Sequence, residues 1–208
     1  MRATHRGRVR LRPSEIVLVR HGETEWSRSG RHTGRTDVPL TEEGRRQAGL
    51  VGEALRGRRF ARILTSPLQR AAETCRLAGF EGSARPELDE WDYGEYEGRT
   101  TVDIRSERPG WYLWRDGVPG GETAEDVGRR ADRAIGELRA LAGDALVFAH
   151  GHVLRVLAAR WLGLEPRAGH LFALDPGTIS VLGYEWETPV IRLWNERPVP
   201  SGGPVRSG

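Results

Sequence analysis

Two histidines of this 208-residue chain each follow a short apolar run and precede a glycine. The run 16–19 (IVLV) leads into Arg20 and His21, and the run 145–149 (ALVFA) leads into His150. Short apolar runs bounded in this way predict buried strands. A buried strand that ends in a permanent cation and an imidazole raises the question of what those groups bind.

A third apolar segment is also followed by a cation shortly after its predicted strand ends. Residues 61–66 (ARILTS) predict a strand that ends at Ser66, and Arg70 lies one helical turn further along. Ligands of open parallel sheets bind beyond the carboxyl ends of the strands. If the three strands run parallel, two guanidinium groups and two imidazoles converge at one edge of the sheet.

This set of side chains suits a dianion such as a phosphate group. A guanidinium offers planar paired donors that match phosphate oxygens and stay charged at any relevant pH. The glycine after each histidine, Gly22 and Gly151, lets the backbone approach a ligand closely. One histidine would be the nucleophile and the other a donor. The neighbouring arginine charge disfavours imidazolium, which keeps the His21 lone pair available for attack on phosphorus.

Phosphoryl transfer through histidine also needs an acid for the leaving alkoxide. The acidic region 87–100 (ELDEWDYGEYEGRT) is the predicted source. Glu90 lies among apolar and aromatic neighbours, where partial desolvation favours the protonated carboxyl. Glu95 and Glu97 are competing candidates for the same role.

The elements that must position these groups follow from periodicity and capping signals. Helices are predicted over 41–57 with Thr41 as N-cap, over 66–79 with Ser66 as N-cap and Pro67 at the first helical position, and over 122–143 and 153–163. Strands are predicted over 15–20, 61–66 and 144–150, with a further pair, an antiparallel hairpin, near the carboxyl terminus. This alternation predicts an α/β three-layer sandwich with a mostly parallel central sheet.

Composition narrows the function classes. The net charge of the chain is +3, and its first twelve residues contain five arginines and no acid. The rest of the chain therefore carries a net charge of −2, which does not favour nucleic-acid binding. All 32 basic residues are arginine, which excludes a Schiff-base or P-loop lysine. Cys75 is the single cysteine and excludes an internal disulfide and a cysteine-based zinc site; helical spacing predicts a packed thiol. No histidine pair has metal-ligand spacing.

The two ends differ from the body. We predict a flexible arginine-rich leader over 1–13, one domain over 14–196 and a disordered Pro/Gly/Ser-rich tail over 197–208. No apolar run approaches the roughly 20 residues of a membrane span. The amino terminus lacks the apolar core of a secretory signal, so we expect a cytoplasmic protein with no membrane partner.

The motifs together resemble the histidine phosphatase superfamily. They occur in family order across residues 16–157: LVRHGETEWSRSGRHTGRTDVPLTEEGRRQA, SPLQRAAET, LDEWDYGEYEG, PGGE and VFAHGHVLRVL. The resemblance implies a phosphoglycerate-mutase-like fold and phosphorylation of His21. It also implies that Arg20, Arg70 and His150 complete the phosphate pocket and that Glu90 is the proton donor.

The same resemblance implies substrate contacts. Ser27 stands where the mutases of the family usually carry Asn, Thr33 and Gly34 would contact the substrate through side chain and backbone, and Tyr93 would line the substrate side. Gly151 leaves room for the ligand beside His150. His152 begins a helix and is expected to be structural or to support the other site residues.

Two departures favour a phosphatase over a mutase. Region 100–122 (TTVDIRSERPGWYLWRDGVPGGE) is compact and aromatic, where cofactor-dependent mutases carry a longer basic insert, and Ser27 replaces Asn. The pattern is similar to a branch with acid phosphatases and sugar-bisphosphatase-like enzymes. Its aromatic residues are expected to pack or to form a wall at the substrate, with Arg99, Arg105 or Arg115 reaching a second anionic group. The candidates for the wall are Trp91, Tyr93, Trp111, Tyr112 and Trp114.

We therefore expect a metal-independent phosphatase that needs no cofactor and hydrolyses small phosphorylated metabolites, such as sugar phosphates, through a phosphohistidine. A phosphoglycerate-type mutase and a non-catalytic phospho-ligand-binding module are the alternatives. The sequence leaves a homo-oligomer open.

Overall fold

Six strands form one sheet in the computed structural model, which describes residues 14–200. The order across the sheet is β3-β2-β4-β1-β5-β6, and β1, β2, β3 and β4 pair in parallel, whereas β5 is antiparallel to both β1 and β6. The predicted mostly parallel α/β sheet is therefore confirmed. The strands are β1 (Ile16–Arg20), β2 (Arg62–Thr65), β3 (Ser83–Ala84), β4 (Ala145–Ala149), β5 (Ile179–Glu185) and β6 (Thr188–Glu196).

Seven helices connect and cover the strands in the described part of the chain. They are α1 (Glu25–Ser29), α2 (Glu42–Ala54), α3 (Gln69–Leu77), α4 (Thr101–Glu107), α5 (Leu113–Asp116), α6 (Ala124–Arg139) and α7 (Gly151–Trp161). Short 3-10 turns cover Pro86–Leu88, Gly94–Tyr96 and Pro166–Leu171. Thr41 caps α2 as predicted, and Thr123 caps α6 with Asp126 in a capping box.

Alternation along β1 divides the core into two layers. Val17 and Val19 pack with α2, α3 and Phe148 on one face, and Ile16 and Leu18 pack with α6 and α7 on the other. Successive side chains of a strand point to opposite faces of its sheet, so one apolar strand serves both layers. The result is the predicted three-layer sandwich.

Cys75 belongs to the α2/α3 layer. Its thiol is buried, and that burial raises the pKa of the thiol to about 11. The prediction of a packed cysteine is confirmed.

Parallel register brings the strand ends together. Arg20 at the end of β1 is paired with Ala149 of β4, and Thr65 of β2 with Phe148 of β4. Ser66, His21 and His150 consequently leave the sheet at the same edge. The neighbouring backbone is tightly packed, because a Cβ on Gly22 would lie 2.3 Å from the carbonyl oxygen of Gly44.

The start of α3 differs from the sequence prediction. The helix begins at Gln69 and not at Pro67, and Ser66 is not its N-cap. The Ser66 hydroxyl is occupied by a 2.9 Å hydrogen bond to Asp89, and the carboxylate of Asp37 accepts the Gln69 N–H at 2.8 Å. A carboxylate from another loop therefore takes over the capping role that sequence proximity assigned to Ser66.

The chain ends fall largely outside the structural description. The predicted leader over 1–13 and residues 201–208 of the predicted tail lie outside the described residues. Arg197, at the start of that tail, pairs with Asp175 at 2.9 Å. Within residues 14–200 no helix combines the length and the apolarity needed to cross a membrane.

Candidate active site

His21 follows β1 as a neutral, oriented imidazole. Its ring is buried, with 4 % of the residue exposed, and its Nδ1 lies 2.7 Å from the carbonyl oxygen of Gly22. Burial first, and then the charges of Arg70 and Arg20, hold the pKa of His21 well below its usual value. In a neutral ring Nδ1 carries the proton donated to Gly22, so Nε2 keeps a free lone pair.

His150 ends β4 beside His21, with 5.1 Å between the ring centroids. The Arg70 Nε donates to its Nδ1 at 3.1 Å. An Nδ1 that accepts leaves the proton of the neutral ring on Nε2, and burial together with the Arg70 charge holds the pKa of His150 well below normal. Nε2 is buried without a hydrogen-bond partner in the described structure. It is therefore an unsatisfied donor next to the nucleophile.

Arg20 provides a second unsatisfied donor. Its Nη1 donates to the carbonyl oxygen of Leu174, but its buried Nε has no partner within residues 14–200. The guanidinium also lies against Gly151, where an added Cβ would come within 3.2 Å of the Arg20 Cζ. Burial lowers the pKa of Arg20 from its ordinary value, although a guanidinium stays charged at neutral pH. A guanidinium at a cavity with a buried and unpaired Nε favours the binding of an anion.

Arg70 has a different main task from the predicted paired grip on phosphate. Besides its bond to His150, its Nη1 donates to Thr36 and its Nη2 to Thr33 and Gly34, all through carbonyl oxygens at 2.9–3.1 Å. The residue is fully buried. Four protein acceptors leave one Nη1 N–H for a ligand, so Arg70 cannot present a free two-pronged fork.

Glu90 lies at the amino terminus of α7. Its Oε1 accepts the backbone N–H groups of Trp91 and Val153, and its Oε2 accepts the N–H of His152, at 2.9–3.0 Å. The carboxylate thus caps a helix to which it does not belong, at the end where the helix dipole is positive. Because Oε1 already accepts two hydrogen bonds, Oε2 has the lone pair that remains for a proton.

A cavity of about 180 Å³ opens in front of Arg20, His21 and Glu90, whereas the fully buried Arg70 and His150 do not line it. Of the residues predicted to contact substrate, Ser27, Thr33, Tyr93 and Gly151 line it, together with Arg20, His21 and Glu90. The Ser27 hydroxyl is already engaged with Thr24 in the capping box of α1. The small volume suits a compact ligand.

Gly34 does not line this cavity, contrary to its predicted substrate contact. Its N–H donates to both carboxylate oxygens of Glu97 at 2.9 Å, and its carbonyl accepts from Arg70. The backbone groups offered to a substrate are therefore already paired inside the protein.

The two competing acid candidates are also placed elsewhere. Glu97 is half-buried and faces backbone N–H groups, and Glu95 is exposed; neither lines the cavity. Glu90 is the acid of the three that the fold brings to His21.

The predicted aromatic wall is mostly core. Trp91, Trp111 and Trp114 are buried, and the indole N–H groups of Trp91 and Trp111 donate to backbone carbonyls. Tyr93 alone of the five reaches the cavity. Indoles that find backbone acceptors pack well inside a protein, so aromatic composition alone did not identify a substrate surface.

The three arginines proposed for a second anionic group are committed elsewhere. Arg99 pairs with Glu107 at 2.7 Å, Arg105 donates to a backbone carbonyl, and Arg115 pairs with its neighbour in sequence. None of them lines the cavity.

Sequence reasoning missed Arg155 and Arg31 as cavity residues. Arg155 lies four residues after Gly151 and so on the same face of α7, a spacing that could have identified it. Its guanidinium is held over the Trp114 ring at 4.7 Å and donates to the backbone carbonyls of Gly169 and His170. No carboxylate of residues 14–200 forms an ion pair with it.

Two further imidazoles also reach the cavity. His32 stacks on Tyr93 with ring centroids 4.7 Å apart, and burial lowers the pKa of His32 to about 4. His152, expected to be structural, lines the cavity with its Nδ1 2.6 Å from the Tyr93 hydroxyl. Residues 14–200 contain no group of three His, Cys, Asp or Glu side chains arranged to hold a metal ion.

Known proteins share this sequence and fold. The chain is 41% identical over 180 residues to an acid phosphatase of Mycobacterium tuberculosis, covering 84% of this chain and 89% of the relative. It is 40% identical over 183 residues to the sedoheptulose 1,7-bisphosphatase of Saccharomyces cerevisiae, covering 71% and 67%. A solved structure of an open reading frame from Mycobacterium tuberculosis superimposes with a TM-score of 0.85 at 38% identity, covering 89% of this chain and 99% of that one.

The family model of the histidine phosphatase superfamily, branch 1, matches residues 16–197, which span every strand and helix described above. The predicted family is therefore confirmed. The chain is a member of branch 1 of the histidine phosphatase superfamily.

Proposed function

We propose that this protein is a phosphatase that hydrolyses small phosphorylated sugars or related metabolites through a phosphohistidine at His21, without a metal. The observation that carries the proposal is the pair of buried, unpaired donors, Arg20 Nε and His150 Nε2, beside a neutral imidazole. Two unsatisfied donors around a nucleophile form an incomplete site that the oxygens of a phosphoryl group complete.

The first step transfers the phosphoryl group to the enzyme. The lone pair of His21 Nε2 attacks phosphorus, the N–P bond forms and the P–O bond to the leaving alcohol breaks. Glu90 delivers the proton on Oε2 to the departing oxygen. The Arg20 and His150 donors stabilise the charge on the transferring oxygens, so that positioning and electrostatics supply most of the acceleration.

The second step returns the enzyme to its starting state. Glu90, now a carboxylate, removes a proton from a water molecule that attacks the phosphohistidine, and the N–P bond breaks. Inorganic phosphate leaves and Glu90 is again protonated.

The distal part of the cavity supports a substrate with a second anionic group. Arg155 is half-buried, and within residues 14–200 neither it nor the exposed Arg31 forms an ion pair with a carboxylate. A cation held by backbone carbonyls and an aromatic ring is positioned without being neutralised, which favours binding of an anion. The relative named sedoheptulose 1,7-bisphosphatase agrees with a substrate that carries two phosphates.

Phosphate release in EDTA from a panel of mono- and bisphosphorylated sugars tests the activity. We expect turnover, an acid-labile radiolabel on the protein, and loss of both in His21→Ala. His170→Ala, an exposed histidine outside the cavity, is the matched control and keeps both signals. Isomerisation of a phosphoglycerate that exceeds hydrolysis would identify a mutase instead, and no turnover on the whole panel would leave a binding module.

The second subsite has its own test. Arg155→Met is expected to raise the KM for a bisphosphorylated sugar about tenfold while leaving p-nitrophenyl phosphate hydrolysis nearly unchanged. Arg160→Met is the control, because Arg160 lies on the same helix but pairs with Asp132 on the outside. Equal effects of Arg155→Met on both substrates would contradict a role in holding a second anion.

A further inference from the structure

Glu97 is a half-buried carboxylate that has no part in the proposed reaction. Its hydrogen-bond donors are backbone N–H groups. Its Oε1 accepts the N–H groups of Gly34 and Thr36, and its Oε2 also lies 2.9 Å from the Gly34 nitrogen. Within residues 14–200 no arginine forms an ion pair with it. The negative charge is thus compensated by backbone N–H groups of a single loop, residues 33–36.

The opposite side of that loop is bound by Arg70. The carbonyl oxygens of Thr33, Gly34 and Thr36 all accept from its guanidinium. The peptide group between Thr33 and Gly34 carries both contacts, with its N–H on Glu97 and its C=O on Arg70. A peptide dipole between a carboxylate and a guanidinium is aligned with both charges, and hydrogen bonds in such a chain strengthen one another.

The next hydrogen bond in this series connects Arg70 to the active site. The Arg70 Nε donates to His150 Nδ1 at 3.1 Å, which requires Nδ1 to be the acceptor and places the ring proton on Nε2. That Nε2 is the unpaired buried donor described above. The guanidinium is planar, so fixing its two Nη atoms on loop 33–36 also fixes the direction of Nε.

We propose that Glu97 is a positioning residue that acts through loop 33–36 and Arg70 to keep His150 in its Nε2–H tautomer, ready to donate to a phosphoryl oxygen. Glu97 is in close contact with the loop, because a Cβ on Gly34 would lie 2.8 Å from its carboxylate and 2.6 Å from the Trp91 carbonyl oxygen. The assignment rests on the proposed function only in naming the group that accepts the hydrogen bond from His150 Nε2–H.

Glu97→Gln tests the assignment, with Glu95→Gln as the matched control. Glu95 lies in the 3-10 turn Gly94–Tyr96 that Glu97 directly follows, but Glu95 is exposed whereas Glu97 is half-buried. A glutamine can still accept both N–H groups on its single oxygen, but it removes the negative charge and turns an NH₂ donor toward the Gly34 N–H, which the second carboxylate oxygen meets at 2.9 Å, so loop 33–36 loosens. We expect kcat to fall about tenfold with little change in KM, because the donor matters most in the transition state.

The histidine tautomer provides a readout that general destabilisation does not produce. In ¹⁵N-labelled wild-type protein at neutral pH, long-range ¹H–¹⁵N spectra are expected to show His150 with an unprotonated Nδ1 and a protonated Nε2. Glu97→Gln is expected to mix the two tautomers, and Glu95→Gln to keep the wild-type pattern. His150→Ala identifies the signals.

Two results would overturn the proposal. One is a wild-type His150 that is protonated at Nδ1, a measurement that needs no variant to fold. The other is a folded Glu97→Gln protein that keeps the wild-type tautomer and a kcat within twofold of Glu95→Gln. If instead the wild-type protein hydrolyses no phosphate ester, the proposed function fails while the tautomer result still decides the role of Glu97.

Discussion

Arg130 of α6 fixes the loop that carries the acid, and its removal gives a measurable prediction. Its Nε and Nη2 bind the Glu122 carboxylate at 2.9 and 3.0 Å, and its Nη groups also donate to the carbonyl oxygens of Glu87, Asp89 and Glu90. The Arg130 side chain is 10% exposed and that of Glu122 is 23% exposed. Solvent therefore screens this pair only weakly.

Arg130→Met removes the charge and keeps an apolar stem of similar length. Removal of one partner of a buried ion pair costs about 3–5 kcal/mol, because the other charge is left without compensation. Glu122 is partly exposed and keeps the N–H of Asp92, so we expect the lower end, about 3 kcal/mol. For a chain of this size that loss lowers Tm by roughly 6–12 °C.

Urea unfolding followed by circular dichroism measures this change, and Arg133→Met is the control. Arg133 lies on the same helix, but its side chain is 62% exposed and its contact with Glu87 is 3.6 Å long, so about 0–1 kcal/mol is expected. The double variant Arg130→Met/Glu122→Gln is expected to recover part of the loss, because no uncompensated carboxylate remains. Equal unfolding free energies for the two single variants would refute the argument.

Two further predictions concern pH and backbone packing. Burial lowers the pKa of His32 to about 4. As the pH falls below about 6.5, the unfolded chain therefore binds a proton at His32 while the folded chain does not. The free energy of unfolding falls with pH as a result, by about 1.4 kcal/mol at pH 5.5 for this group. Urea midpoints at pH 7.5 and 5.5 are expected to differ less in His32→Phe than in the wild type, and equal differences would contradict the buried neutral ring. Gly49→Ala in α2, where an added Cβ meets nothing within 4 Å, is expected to raise the unfolding free energy by about 0.5–1 kcal/mol. Gly22→Ala is expected to lower both stability and phosphate release, since its Cβ would collide with the Gly44 carbonyl; a Gly22→Ala protein that melts at or above the wild-type temperature would show that this contact is unimportant.

The sequence predicted the parts of the fold that depend on local periodicity. The three strands that lead to Ser66, His21 and His150 were located within about a residue, because a buried parallel strand is an apolar run with clear ends. The predicted helices 41–57, 66–79 and 122–143 were too long and 153–163 was placed two residues late, since capping by distant groups is not visible locally. Asp37, which caps α3 from another loop, is the clearest case.

The candidate site was predicted as a set of residues but not as a network. The convergence of Arg20, His21, Glu90 and His150 follows from strand direction and from family motifs. The commitment of Arg70 to four protein acceptors does not, because it depends on where loop 33–36 lies. The same limit explains the choice of Arg99, Arg105 and Arg115 for a second anion. Local charge cannot show that Arg99 and Arg115 are ion-paired, that Arg105 is held by a backbone carbonyl, or that none of the three lines the cavity.

The central position of β4, between β1 and β2, matters for how activity arises during synthesis. A nascent chain that ends before Ala145 already contains His21 and Arg70, yet it lacks the strand that joins β1 to β2 and the helix end that holds Glu90. Contacts between residues so far apart in sequence form late. The ribosome must therefore release most of the polypeptide before a metabolite can be dephosphorylated, and catalytic competence arrives together with the closed sheet.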